Sequence, residues 1–380
     1  MNRGRKSPGR TVSPRSGASS GTGSSTEVRA FAVILAGGGG TRLWPLASLR
    51  SPKPFLPLDK GVSLFRRTYD RIVPVVGPSR VVVVTGVAQV GWVRRQVPRI
   101  PRGQILVEET SRDTAASIAL AAHWLRRKHG DAIMIVLPAD HAIHPVSAFR
   151  ATVRRGIHIV RRSAGLITIG VPARSPQTGF GYILAAGTGT GKGAHEVQAF
   201  IEKPGARQAA RMVRSGRYLW NSGIFLWKAS TILGELARHR PDIATPLEKW
   251  TRRVPGGEWR IPASVLRSLP RVPIDRAVLE RSNNVLVLRA PFAWSDVGNW
   301  DALGGLLPAD NRGNSAIGRI LALDAERCLG VNENGLTVFV GVKDIVAVHS
   351  KGVLLVCHRD AAQRVREVVH DLRRPLGACR

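Results

Sequence analysis

Cysteine is scarce in this chain of 380 residues: Cys328, Cys357 and Cys379 are the only three. They lie far apart, are odd in number and show no CxxC spacing, so neither a disulfide framework nor a zinc site is indicated. A reducing, cytoplasmic setting is the simplest expectation. Long apolar runs are missing too. The nearest candidates, Val81–Val84 and Ile133–Leu137, are strand-sized and fall well short of the roughly 18 residues of a membrane-spanning helix. No membrane association is expected. No apolar stretch precedes Phe31, so the basic N-terminus lacks the centre of a secretory signal. With 43% apolar and 22% charged residues, the chain is neither wholly disordered nor a polytopic membrane protein.

Acidic residues are the second shortage, 26 Asp and Glu against 57 Lys and Arg, for a formal charge of +31. Lysine contributes only 10 of those cations and arginine 47, spread along the whole chain. No zinc-finger spacing, RNP-type aromatic strand or basic heptad array accompanies the charge, so nucleic acid is a disfavoured partner. A generally basic surface suits an enzyme whose substrates are phosphorylated anions.

The length allows one large domain or two modest ones. Residues 1–28, almost all Ser, Gly, Thr, Arg and Pro, carry too little apolar surface to fold and read as a disordered basic tail. From 29 to about 308, strand-like runs (Phe31–Leu35, Val81–Thr85, Ile133–Leu137, Leu166–Gly170) alternate with helical segments (Leu64–Ile72, Thr114–Lys128). That alternation predicts an α/β fold with a mixed, mostly parallel sheet covered on both faces. In the 114–128 helix, Ile118, Ala121, Ala122 and Leu125 form the apolar face, Asp113 or Thr114 can cap it, and Gly130 stops it. Beyond residue 180 strands dominate (Tyr182–Ala185, Val197–Ile201, Ile224–Trp227, Val285–Leu288), an arrangement expected of an insertion or lobe for a second substrate. Residues 309–380 read as a small β-rich region closed by a helix over Asp360–Leu372, with Ala361, Val365, Val368 and Val369 facing inward.

The most telling segment is FAVILAGGGGTRLWPLASLRSPKPFL, Phe31–Leu56. A buried strand runs straight into Gly37, Gly38, Gly39 and Gly40, followed by Thr41 and Arg42. Glycines expose backbone N–H groups with no Cβ in the way, so phosphate oxygens can approach, while Arg42 and Lys53 add positive charge. A GxGxxG reading fails because the third glycine falls on Arg42 or Leu43, and the Walker pattern fails here and at Gly191-Lys192, which Gly193 follows. In IMIVLPADH a second apolar strand delivers Asp140 at its carboxyl end, where it either holds Mg²⁺ on nucleotide phosphates or caps a following helix. His141 reads as a packing or hydrogen-bonding residue. Asp296, between Trp294 and Trp300, is either a second metal carboxylate or a turn residue. Thr178–Tyr182, Phe200–Pro204 and Trp220–Gly223 set polar groups beside glycine or aromatic rings, as in a sugar pocket or an ordinary hairpin.

In combination and order, GGGGTRLWPL…PK, PADH, FGYI, FIEKP, WNSGIF and DVGNW resemble the nucleotide-sugar pyrophosphorylase family, in its mannose-1-phosphate guanylyltransferase branch, from Phe31 to Leu372. The resemblance implies a Rossmann-like nucleotidyltransferase domain with a small β-rich C-terminal piece. It implies GTP and mannose 1-phosphate as substrates, GDP-mannose and pyrophosphate as products, Mg²⁺ as cofactor, and leaves a homodimer open. By the same resemblance Arg42 and Lys53 are catalytic. Gly37, Gly38, Gly39, Gly40, Thr41, Asp113 and Thr114 bind the nucleotide, and Gly181, Tyr182, Glu202, Lys203 and Asn221 bind the sugar phosphate. Asp140 and Asp296 hold the metal. Two departures stand out: Ala47-Ser48-Leu49-Arg50 replaces the Ser-Arg that commonly follows the LWPL, and Phe180 stands where tyrosine is frequent. Longer relatives carry a second, isomerase domain, for which a chain ending at Arg380 is too short. The alternatives are UTP or dTTP with glucose 1-phosphate and, remotely, a basic nucleic-acid-binding protein.

Overall fold

The structure, a computed structural model, describes residue 1 and residues 28–38, 40–48, 51–59, 61–187, 193–254 and 259–372. The expected tail (but for its two ends), Gly39, Arg50, the Gly191-Lys192 pair and Cys379 lie outside them.

Ten strands form one sheet: β1 Ala30–Ala36, β2 Val81–Gly86, β3 Ile105–Glu108, β4 Ile133–Pro138, β5 Leu166–Pro172, β6 Gly181–Ala185, β7 His195–Glu202, β8 Tyr218–Lys228, β9 Arg260–Ile261 and β10 Val285–Arg289. Their order is β9-β3-β2-β1-β4-β8-β5-β10-β7-β6. The β9-to-β4 half is parallel throughout, β8 turns antiparallel against both β4 and β5, and β10 is parallel to β5. Side chains alternate across a strand. Phe31 and Val33 therefore join a core with helices Thr114–His129, Ala229–His239 and Pro241–Arg253, while Ala32, Ile34 and Ala36 join the opposite core with Leu64–Val76 and Val146–Arg162. Helices on both faces explain why β1 and β4 are apolar runs without alternation.

Local chemistry sets the helix ends. Ser63 Oγ accepts the Arg66 N–H at 3.1 Å at the start of Leu64–Val76, and Gly77, at φ 86°, stops it. Asp113 accepts the Thr114 N–H at 2.8 Å. The Thr114–His129 helix is buried on more than the apolar face read from its sequence, with every residue from Ala115 to Ala122 inside. Two further helices pack on its far side, and its small alanines permit that close approach.

The strand-rich second half is not a separate lobe. Phe225–Lys228 of β8 pair directly with Ile133–Val136 of β4, so the strands beyond residue 180 extend the same sheet. The physical cause is the bare edge of β4, whose backbone groups need a partner.

The C-terminal strands Ser315–Leu323, Leu329–Val340, Ile345–Ser350 and Val353–His358 form a second sheet, parallel in its first two pairings. Its core residues Leu329, Val331, Val346 and Val348 share one cluster with Leu43, Ala47, Val297 and Trp300. The closing helix begins as a 3₁₀ turn, Arg359–Arg364, and becomes α-helical only at Val365–Asp371. That tighter start rotates the register. Ala362, Val365 and Val369 point inward, whereas Ala361 is half-buried and Val368 is exposed.

Candidate active site

The site lies where β1 and β4 end side by side. Gly37 and Gly38 are exposed, and a Cβ built on either would meet nothing within 4 Å, although Gly38 sits at φ 89°. Gly40 is different. It adopts φ 64°, and a Cβ there would lie 2.3 Å from Lys53 Cβ, so only glycine lets the 3₁₀ turns Thr41–Leu43 and Lys53–Phe55 close on each other.

That contact directs Lys53 inward. Its side chain is 8% exposed and Nζ lies 2.6 Å from Asp140 Oδ2 while also donating to the Asp296 carbonyl. The lysine is therefore no free cation of the loop; it ties the two carboxylate-bearing segments together. Asp140 caps no helix, since the next one starts at Val146. Burial pushes its carboxyl up, but Lys53, with help from His141, prevails and holds it below its ordinary value. Burial likewise pushes Asp296 up, and here it wins despite Lys53 and Arg42, with Asp140 adding to the rise. Asp296 Oδ1 accepts the Gly298 N–H at 3.1 Å, and a Cβ on Gly298 would sit 2.7 Å from Oδ2. The turn between them puts buried Val297 at φ 49°, a strained geometry held by its packing with Leu43 and Trp300. Trp300 Nε1 in turn donates to the Trp44 carbonyl at 3.1 Å. His141 behaves as a hydrogen-bonding residue: Nδ1 accepts from Trp294 Nε1 at 3.1 Å, and burial lowers its pKa to about 4.

Gly40, Thr41, Arg42, Lys53, Asp140 and Asp296 line one cleft of about 320 Å³. Among the described residues Arg42 has no hydrogen-bond or ion-pair partner. Two carboxylates beside a cleft suit a hard divalent cation, which needs few protein oxygens when substrate phosphates supply others. No group of three or more metal-ligating side chains occurs among the described residues.

A second cavity of about 490 Å³ adjoins it and shares Arg42, Asp296 and Gly298. Gln177, Thr178, Phe180, Lys203, Trp220 and Trp294 line it, with Phe180 edge-on to both tryptophans at 5.3 and 5.1 Å. Lys203 reaches it while pairing with Glu202 at 3.0 Å. A Cβ on Gly181 would lie 2.6 Å from Glu202 Oε2, so a larger residue there would displace that carboxylate. Two residues expected to touch a sugar phosphate are engaged internally instead. Tyr182 is fully buried and its hydroxyl donates to the Gln177 carbonyl at 3.0 Å, which fixes a wall of the cavity. Asn221 donates to Asp275 at 2.7 Å and accepts from Thr168 at 2.9 Å.

Asp113 and Thr114 follow β3 on the same edge of the sheet. Asp113, at φ 68°, caps its helix and Thr114 Oγ1 accepts the Ile274 N–H at 2.8 Å, so both hold backbone. Nearby Glu108 is pushed up to about 7 by burial, against the lowering effect of the Ser117 hydroxyl.

Sequence patterns did not reveal Asp275, whose pKa burial, with Glu202 nearby, pushes up to about 7. Nor did they reveal Gln363 and Arg366 of the C-terminal segment, which line the larger cavity. Asp275 sits in no motif, and Arg366 is one arginine among 47, so neither stands out before folding.

Residues 31–311 match the sequence profile of the Nucleotidyl transferase family. The chain belongs to that family. Residues 318–372 match the MannoseP isomerase/GMP-like beta-helix domain. Among curated relatives, this nucleotidyl transferase is 36% identical over 344 residues to the xanthan biosynthesis protein XanB of Xanthomonas campestris, covering 90% of this chain and 73% of that one. It is 36% identical over 356 residues to the mannose-1-phosphate guanylyltransferase ManC of Salmonella typhimurium, with 91% and 74% covered. The fold matches a Thermus thermophilus crystal structure described as mannose-1-phosphate geranyltransferase, with TM-score 0.82, 31% identity and 91% and 99% of the two chains covered. No helix among the described residues of this transferase is long and apolar enough to cross a membrane.

Proposed function

We propose that this nucleotidyl transferase makes GDP-mannose and pyrophosphate from GTP and mannose 1-phosphate in the cytoplasm. The observation that carries the reading is the pair of adjoining clefts, one lined by Gly40 and Thr41 at the end of the glycine run together with Lys53 and Asp140, and one walled by aromatic and polar side chains, which meet at Arg42 and Asp296. Relatives described as mannose-1-phosphate guanylyltransferase support the choice of substrates. In this reading residues 29–308 carry the transfer and 309–380 brace it.

The reaction is an in-line displacement at phosphorus. An anionic oxygen of mannose 1-phosphate forms the new bond to the α-phosphorus of GTP, and the bond from that phosphorus to the β-phosphate oxygen breaks. Pyrophosphate leaves with the electron pair. The nucleophile is already an anion, so no general base is required; the protein must align two polyanions and neutralise the charge that builds on the leaving group.

Backbone N–H groups of Gly37–Gly40 receive the nucleotide phosphates, and Arg42 spans the meeting point. Lys53 holds Asp140 ionised and both aspartate segments in register. Asp140 and Asp296 would hold Mg²⁺, which when bound supplies charge neutralisation between the phosphates. Lys203 faces the sugar phosphate, Glu202 and Gly181 shape that end, and Tyr182 and Asn221 position its walls. Asp113 and Thr114 border the nucleotide side.

The test is pyrophosphate release from the full chain with a panel of GTP, UTP and dTTP against mannose 1-phosphate and glucose 1-phosphate. The expected result is fastest turnover with GTP and mannose 1-phosphate. Equal or faster turnover with dTTP and glucose 1-phosphate overturns the reading.

A further inference from the structure

The larger cavity is built by two parts of the chain. Arg42, Lys203 and the aromatic wall come from the nucleotidyl transferase part, whereas Gln363 and Arg366 come from the closing segment after the second sheet. The charges around it are unevenly matched. Lys203 is paired with Glu202 at 3.0 Å, and Asp301, also on the lining, is taken by Arg359 at 2.7 Å. Arg42 and Arg366 have no ion-pair or hydrogen-bond partner among the described residues. Both guanidinium groups line the one cavity, and a guanidinium presents parallel donors that match phosphate oxygens.

Packing holds the two arginines to the same cavity. Leu43, which follows Arg42, is fully buried in one cluster with Ala362 and Val365, the latter immediately preceding Arg366. The change from 3₁₀ to α-helix at residues 364–365 buries Val365 and leaves the next side chain outward, at the cavity. Arg364 is turned away and pairs with Glu367 at 3.2 Å.

We infer that Arg366 is a substrate-binding residue, a second guanidinium on the phosphate of the sugar 1-phosphate, with Gln363 beside it. The inference rests on the functional reading above and extends it to the β-rich C-terminal region. The choice of phosphate follows from the lining. Arg42 and Asp296 border both clefts, where the two substrates meet, while Arg366 borders only the cavity with the aromatic and polar wall. It therefore serves the sugar phosphate and leaves the nucleotide to the glycine loop.

The experiment uses the full chain as wild type, Arg366→Ala, Arg366→Lys and Arg364→Ala. Initial rates are taken with mannose 1-phosphate varied at saturating GTP and the converse, alongside thermal melts. For Arg366→Ala the KM for mannose 1-phosphate should rise about 10- to 100-fold, the range for losing one charge-assisted hydrogen bond. The KM for GTP and the melting temperature should stay unchanged, Arg366→Lys should recover part of the loss, and Arg364→Ala should match wild type. An unchanged KM for mannose 1-phosphate, an equal rise in both KM values, or the same loss in Arg364→Ala overturns the inference. Calorimetric titration of mannose 1-phosphate and of inorganic phosphate into the same four proteins separates the two claims. Wild type that turns over no GTP with mannose 1-phosphate refutes the functional reading, whereas anion binding equal in wild type and Arg366→Ala refutes the role of Arg366.

Discussion

Gly37 and Gly40 stand three residues apart in one glycine run, yet the structure assigns them opposite sensitivities to the same methyl group. At Gly40, alanine must adopt φ near 64°, which costs an L-residue roughly 1–2 kcal/mol. Its Cβ would also fall 2.3 Å from Lys53 Cβ, an atom at the root of a buried side chain that cannot swing away. Such overpacking typically costs about 1–3 kcal/mol, so Gly40→Ala should destabilise by about 2–5 kcal/mol in all. It should also pull Lys53 from Asp140. At Gly37 the added methyl touches nothing in the protein, and the smaller entropy of the unfolded chain makes the change neutral or stabilising by about 0.4–1 kcal/mol. Whatever that methyl obstructs is ligand. If phosphate oxygens approach the N–H groups there, losing one such contact should lower kcat/KM for GTP about 10²- to 10³-fold. The pair is read by urea unfolding and by pyrophosphate release. A Gly37→Ala protein with wild-type kcat/KM would refute phosphate approach at that loop, and a Gly40→Ala protein with a wild-type midpoint would refute the close packing of Lys53.

Lys53→Met leaves Asp140 without its counter-ion, and because the Asp140 side chain keeps 29% exposure the loss should fall below the roughly 3–5 kcal/mol of a fully buried broken pair. Asp140 is held below its unfolded value near 3.8, so this stabilisation is present above that pH and vanishes as pH falls through the folded value. Urea midpoints of wild type and Lys53→Met should therefore converge below about pH 4. Asp140→Asn and Asp296→Asn should each abolish most turnover, Asp140→Asn with a lowered urea midpoint because it leaves buried Lys53 without its counter-ion; if both hold one Mg²⁺, the loss in the double variant should be far smaller than the product of the single losses. Strictly multiplicative losses with unchanged Mg²⁺ dependence would refute that. Asp275 has the opposite sign: its pKa is raised from 3.8 to about 7, so its contribution is full below 3.8 and is lost as pH rises through 7. Asp275→Asn, which keeps the shape, should gain midpoint over wild type as pH climbs from 4 to 8, and a pH-independent difference would refute a neutral buried Asp275.

Much of the fold was legible before folding because it is written in local periodicity. The apolar runs of β1 and β4, the Asp113 and Gly130 boundaries of the Thr114–His129 helix and the glycine loop after β1 depend on residues near one another in sequence. The motifs PADH and DVGNW likewise located Asp140 and Asp296 at chain positions that the structure brings into one cleft. What neighbours cannot determine is which strand completes which edge. The strands after residue 180 look like a lobe in sequence and become part of the main sheet only because β4 offers β8 an unsatisfied edge.

Side-chain engagement was settled by tertiary contacts as well. Lys53 looks like a loop cation until Gly40 closes on it and turns Nζ toward Asp140. Tyr182 and Asn221 carry the polar groups of a sugar pocket, but their partners, Gln177, Thr168 and Asp275, come from other strands and turns. Arg366 had no signal at all in a chain so rich in arginine. It lines the cavity because Val365 is buried with Leu43, 322 positions earlier in the chain, and packing between segments so distant leaves no local trace in either one.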